Sequence, residues 1–193
     1  MFRRIVTVRN SAGKSVISSD GPSPREQARE HTPGFVSAPL WKTSATASLP
    51  AAEQDPMSIP GSSLIPGEGG STFMIVTFPP DSVMMSPNFD PAKAGAEHLA
   101  AIPGLAETFE PENPGMHTTP TLDYGVVLDG EIWLELDDGA TVHLKQHDAV
   151  VQQGTRHGWR NKGAKPATLA FVLLGAKTTW VGSHPTDGLR SGP

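Results

Sequence analysis

Apolar and polar residues alternate in short bursts over much of this chain, and the bursts are separated by turn-forming residues. Thr72 to Phe78 (TFMIVTF) is a dense β-type run ended by Pro79-Pro80. From about Met116 onward the runs are Tyr124–Leu128, Ile132–Leu136, Thr141–Leu144, Ala149–Gln152, Gly158–Arg160 and Thr168–Leu174. Asp129-Gly130, Asp137-Asp138-Gly139, Gly154 and Lys162-Gly163 punctuate them, and Asp-Gly pairs favour the positive φ of tight hairpins. Short strands at this spacing predict an antiparallel sandwich or barrel. A single helix is expected after Asp90-Pro91, where Asp90 can accept from the first free N–H groups and proline is pre-set for the first helical position. Pro103-Gly104 stops it.

The N-terminal third reads differently. Ile5–Val8 and Lys14–Ser18 flank Asn10-Ser11-Ala12-Gly13, which predicts a small hairpin. From Ser19 to about Pro66 the residues are largely Gly, Pro, Ser and Ala without periodicity, a stretch too long for an ordinary loop. Phe35, Leu40 and Trp41 within it are costly to leave in water. The expectation is therefore an extended arm docked on its own barrel or on a partner subunit. The implied organisation is residues 1–66 as hairpin and arm and 67–193 as the barrel, with the motif-bearing core at 111–176.

Composition narrows the function classes. The 193 residues are 37% hydrophobic, and the 20 glycines bring the chain up to what a packed core needs. Nineteen prolines and 6% aromatics argue against a helical bundle. Fifteen Lys+Arg against 20 Asp+Glu leave a net charge of −5, so there is no basic field for nucleic acid. With no cysteine, disulfides, thiolate metal sites and a cysteine nucleophile are excluded. The apolar run after Arg3-Arg4 is too short for a secretory signal, and no stretch approaches the roughly 20 apolar residues of a membrane span. A soluble cytoplasmic protein is expected. Gly67-Glu68-Gly69-Gly70 lacks the Lys-Ser/Thr of a phosphate loop and reads as a flexible joint. The serines before position 50 have no nucleophile-elbow motif around them.

Most of the seven histidines need no chemistry. His31 in the arm and His98 on the helix are expected at the surface. His143 alternates with Val142 and Leu144 and should face solvent, His147 stands at a turn, and His184 is in the tail. Two remain. His117 opens Met116-His117-Thr118-Thr119-Pro120-Thr121-Leu122-Asp123-Tyr124-Gly125-Val126-Val127-Leu128-Asp129-Gly130, and His157 sits in Gly154-Thr155-Arg156-His157-Gly158-Trp159-Arg160-Asn161.

This pair of segments resembles the two motifs of the cupin superfamily. His117 falls at the first motif's first histidine, Thr119 at its second, Asp123 at its glutamate and Gly130 at its glycine. Gly154, His157 and Asn161 match the second motif, whose opening glycine falls at Gln146 or His147 here. The resemblance implies an all-β, cupin-like antiparallel jelly-roll barrel with an irregular N-terminal arm and one short helix. It also implies one divalent metal ion (Fe, Zn, Mn or Ni) on His117, Asp123 and His157. Two histidines and a carboxylate are the ligand type of facial-triad iron sites and suit catalytic zinc. Thr119 is a poor ligand and is expected to bond a water or a substrate, with Trp159 as a possible pocket wall. Asp123, shorter than Glu, could instead orient His117 through a hydrogen bond. Tyr124 alternates away from Asp123 and should pack on the outer face.

The function this implies is a metal-dependent cupin enzyme acting on a small organic acid, carbonyl or phenolic compound, by lyase, decarboxylase, isomerase or dioxygenase chemistry. The alternative is a non-catalytic small-molecule-binding cupin with no metal. The expected partners are a small molecule and a second copy of the chain in a homodimer, with neither nucleic acid nor membrane.

Overall fold

A computed structural model describes residues 1–49 and 54–179 of the chain. Its first elements are strands β1 (Arg4–Arg9) and β2 (Ser15–Gly21), which pair antiparallel as the expected hairpin. Asn10 closes the turn, its side chain accepting from the backbone N–H groups of Ala12 and Lys14. Buried Arg4 ties the hairpin down by donating to the Leu40 carbonyl and to Asp55.

The segment expected to be an arm is partly strand. Two-residue β3 (Gln27–Ala28) pairs with β4 (Val36–Thr43), and β4 runs antiparallel to β5 (Ser71–Phe78). Pro39 hides β4 in the sequence because proline cannot donate to a ladder and is found at edges or bulges. Here the register shifts between Pro39 and Trp41, which accommodates it. Leu40 is buried and Phe35 stands edge-on to Phe78, so the docking of the large apolar groups holds. The Gly67–Gly70 segment is no free joint: Gly69 donates to the Gly175 carbonyl, and Gly175 in turn to that of Gly70.

Helix α1 (Pro91–Ala101) starts as its capping residues require, with the Asp90 carboxylate accepting from Ala92 and Lys93. The remaining strands are β6 (Thr121–Asp129), β7 (Glu131–Glu135), β8 (Thr141–Lys145), β9 (Ala149–Gln153), β10 (Gly158–Arg160) and β11 (Ala167–Gly175). They form a six-stranded sheet, β3-β4-β5-β11-β6-β9, and a three-stranded sheet, β10-β7-β8. Every pairing is antiparallel. Side chains of both sheets, among them Met74, Val127, Leu169, Ile132, Leu134 and Leu144, share one buried cluster.

One turn does something other than its sequence suggests. Asp137-Asp138-Gly139 closes the β7–β8 hairpin, with Asp138 and Gly139 both at positive φ. Asp129-Gly130 instead hands the chain from the large sheet to the small one, since β6 pairs with β9 and β11 rather than with β7. A Cβ at Gly130 would lie 2.7 Å from the Pro166 carbonyl oxygen, so close approach as well as its φ of 77° demands glycine.

Candidate active site

Backbone pairing brings the two singled-out histidines together. His117 and His157 exchange both N–H···O=C bonds, each at 2.9 Å. Opposed residues of an antiparallel bridge send their side chains to the same face. The two rings accordingly meet inside the barrel mouth, with centroids 4.2 Å apart. Each Nδ1 faces a backbone carbonyl, that of Gly115 at 3.2 Å for His117 and that of Thr155 at 2.9 Å for His157. A carbonyl only accepts, so in each neutral ring the proton sits on Nδ1 and the lone pair on Nε2. Burial keeps both rings neutral: it pushes His117 down to about 3, with His157 beside it adding to the shift, and it lowers His157 as well.

Around this pair the rings close a belt. Phe35, His98, Phe109, His117, His157, Trp159 and Phe78 follow one another with centroid separations of 4.2–6.5 Å, and Phe78 returns to Phe35. His98 is therefore no surface histidine. It leans on Phe35 from α1, and burial lowers its pKa. Its inward placement leaves no local mark, because α1 carries no strong apolar stripe. His143 is exposed as expected, stacked on Trp133 and bonded to Glu131.

A clamp holds the two motif segments in place. Arg156 reaches both oxygens of Glu110 at 2.6 Å and Asp137 at 2.7 Å, tying the loop before His117 to the connection that carries His157. The guanidinium holds the Glu110 carboxyl below its usual range.

From His117 a polar line continues along the inner face through Thr119, Thr121 and Asp123, all buried. Thr119 and Thr121 share a 2.7 Å hydroxyl hydrogen bond. Burial pushes Asp123 up to about 6, with the Thr121 hydroxyl working against the rise. The structure draws His117 and His157 together and leaves Asp123 apart. Among the described residues, no three His, Asp or Glu side chains converge closely enough to hold one cation.

Residues 106–185 match the family described as "Cupin domain". Over those residues the chain carries a cupin domain. It is similar, 52% identical over 63 residues, to "Phomopsin biosynthesis cluster protein C'" of Diaporthe leptostromiformis, covering 32% of this chain and 33% of that protein. It is also 40% identical over 65 residues to "Cupin-domain-containing oxidoreductase virC" of Hypocrea virens, covering 32% and 34% of the two. The chain thus spans about a third of the length of the curated relatives it matches. Among solved structures, the cupin domain of Cnp3 from Schizosaccharomyces pombe covers 90% of this chain and 87% of its own at 11% identity and a TM-score of 0.43.

Asn161 is spent on structure: its amide donates to the Phe78 and Lys165 carbonyls and its oxygen accepts from Gly163. The opening glycine of the second motif is His147, which holds a left-handed φ of 74°. Trp159 stands edge-on to His157 at 5.9 Å. Tyr124 faces outward. His184 lies outside the described residues. No helix among the described residues is long and apolar enough to cross a membrane.

Proposed function

We propose that this chain is a cupin oxidoreductase that receives a small organic compound at the barrel mouth, against the facing imidazoles of His117 and His157. The observation that carries this is the pair itself: two buried neutral rings, their Nδ1 atoms fixed by carbonyls and their Nε2 lone pairs free. That is the form in which histidine ligates a metal. The relative from Hypocrea virens is named an oxidoreductase, and those from Diaporthe leptostromiformis belong by name to a biosynthesis cluster. Brought to this chain, those names favour redox chemistry on a biosynthetic intermediate.

The donor set suits one divalent ion, of Fe, Zn, Mn or Ni, held by His117 and His157. When bound, such an ion supplies Lewis acidity or, as iron, a redox centre. The chain's own residues do the rest. The belt of rings keeps water from the pair, Arg156 fixes the two motif segments against each other, and Thr119 offers a hydroxyl beside the bound compound. Asp123, which the motif spacing marks as a third ligand, is left out of the donor set here because it stands apart from the pair.

Elemental analysis of purified protein, before and after chelation, tests this. His117→Ala and His157→Ala should each lose most of the metal, and His143→Ala should lose none. Wild-type stoichiometry in both pair variants, or a metal-free wild type after supplementation, would overturn the metal and leave a binding cupin.

We also propose a homodimer. On the outer face of the large sheet, Phe73, Val172, Tyr124 and Val151 form one cross-strand row, and Ile75, Ala170, Val126 and Ala149 form the next. Phe73, Tyr124, Val126 and Val151 are exposed. Neither row carries a charge, so two copies of this face meet without the repulsion their acidic chains would otherwise feel.

A further inference from the structure

Three buried polar atoms on the inner face have no hydrogen-bond partner, and they share one row across the large sheet. They are Thr72 Oγ1, Asp123 Oδ1 and Gln152 Nε2, on residues that are 0%, 7% and 4% exposed. The register sets the row: Thr72 opposes Leu173, Leu173 opposes Asp123, and Asp123 opposes Gln152. Opposed residues present their side chains on one face, with Cβ atoms about 4.5–5.5 Å apart. The following inner rows are apolar on β5, β11, β6 and β9, first Met74, Phe171, Gly125 and Val150, then Val76, Leu169 and Val127. Ser37, which ends the second row on β4, accepts from Arg29. The only other unpartnered buried side-chain atoms among the described residues are Arg4 Nε and Arg29 Nε, in guanidinium groups that bond elsewhere. Buried polar atoms are normally paired, so three orphans gathered in one row point to an absent partner.

The row lies at the end of the sheet where His117 and His157 enter. Its central pair sets an acceptor, Asp123 Oδ1, beside a donor, Gln152 Nε2. The complement is a small planar group with a donor next to an acceptor. A ligand carboxylate fails, since it would set an anion against Asp123 and bring no donor.

We propose that Asp123 and Gln152 form a recognition edge for a carboxamide or lactam. Its N–H donates to Asp123 Oδ1, its C=O accepts from Gln152 Nε2, and the Thr72 hydroxyl addresses a further polar atom of the same compound. This rests on the reading that the barrel takes a small molecule, but not on the metal.

The test is titration of the full-length chain with γ-butyrolactam and with its N-methyl derivative, which keeps the carbonyl and lacks the donor. The readout is the NMR signal of the isotope-labelled Gln152 side-chain amide. The lactam should shift that signal and the N-methyl derivative should bind about tenfold weaker or worse, as loss of one hydrogen bond to a carboxylate implies. Asp123→Ala, which removes the acceptor of the lactam N–H and keeps the Gln152 reporter, should abolish the discrimination. Equal responses to both compounds, or none at the highest soluble concentration, would overturn the inference.

Stability supplies a second arm that needs no ligand. Thr72→Val and Gln152→Met remove unpartnered atoms and should leave the unfolding midpoint unchanged or raised. A clear drop in both would show that the atoms are satisfied in the resting protein, by an ordered water or by each other. Metal content separates this inference from the metal reading. Metal lost from Asp123→Asn would overturn the row while the two imidazoles stand, whereas a metal-free wild type would sink the metal and leave the row untouched.

Discussion

Replacing Asp123 by asparagine in chelator-treated protein should stabilise the fold at neutral pH and progressively less in acid. Burial raises the Asp123 carboxyl from 3.8 to about 6. Below the lower value the carboxyl is protonated in both the folded and the unfolded chain, and the group contributes no difference. Between the two values the unfolded chain releases its proton while the folded chain keeps it, so stability falls as pH rises. Above about 6 both are ionised and the full penalty of a buried carboxylate remains. At about 1.4 kcal/mol per tenfold change, that penalty is about 3 kcal/mol at pH 7.5 and about 1 kcal/mol at pH 4.5. For a chain of this size it corresponds to about 6–12 °C in Tm at neutral pH. Urea unfolding of wild type and Asp123→Asn at both pH values reads the difference, in which the histidine contributions common to the two proteins cancel. A gap of the same size at both pH values, or one that widens in acid, would refute the buried carboxylate.

Three further outcomes are expected. His117, held down to about 3 by burial, contributes stability that is present above about pH 6.5 and lost as pH falls toward 3; His117→Gln should flatten that acid limb in a pH series of thermal melts. Tyr124→Glu and Val151→Glu place charge on the exposed outer face, and sedimentation should show monomers where wild type sediments as a dimer; dimers in both variants would move the interface elsewhere. His147 holds a left-handed backbone, so His147→Gly should raise stability by about 1 kcal/mol in denaturant unfolding.

What could be read from the sequence was whatever its local chemistry controls. The Asp90 cap, the β7–β8 turn and the alternation that buries Thr121, Asp123 and Val127 are decided within a few residues. So is the outward aim of Tyr124 and His143. What escaped depended on contacts far along the chain. β4 pairs with β5 despite Pro39 because a bulge absorbs the missing donor. His98 is drawn inward by Phe35, which is far from it in sequence, and by Phe109, which lies beyond the end of its helix. Asp129-Gly130 has the composition of a hairpin turn, yet the close approach of Pro166 and Ala167 makes it a crossing between sheets. In the site, motif spacing located His117 and His157, and only the backbone bridge shows that they face each other. Gln152 carried a faint signal, since it alternates with Val150 on the inner side of β9. Nothing in the sequence places it opposite Asp123.

The barrel divides its labour along the strand direction, and that division can be tested. At the mouth, the inner row holds Asp123 and Gln152 with unpartnered atoms, and the imidazole pair lies beyond it. Two rows deeper, fully buried Leu169 stands directly between Val76 and Val127. Unsatisfied groups at the mouth weaken the fold, so the deep rows must supply the stability that lets the mouth keep them. Leu169→Ala should therefore destabilise by about 2–5 kcal/mol, the range for emptying a packed aliphatic site. Its folded fraction should keep the wild-type metal content and lactam response, because neither uses the deep rows. Gln152→Met should do the reverse, sparing stability and weakening lactam binding as read by calorimetry. If Leu169→Ala abolished the lactam response in protein still folded by circular dichroism, the two ends would be mechanically coupled and the division of labour would be wrong.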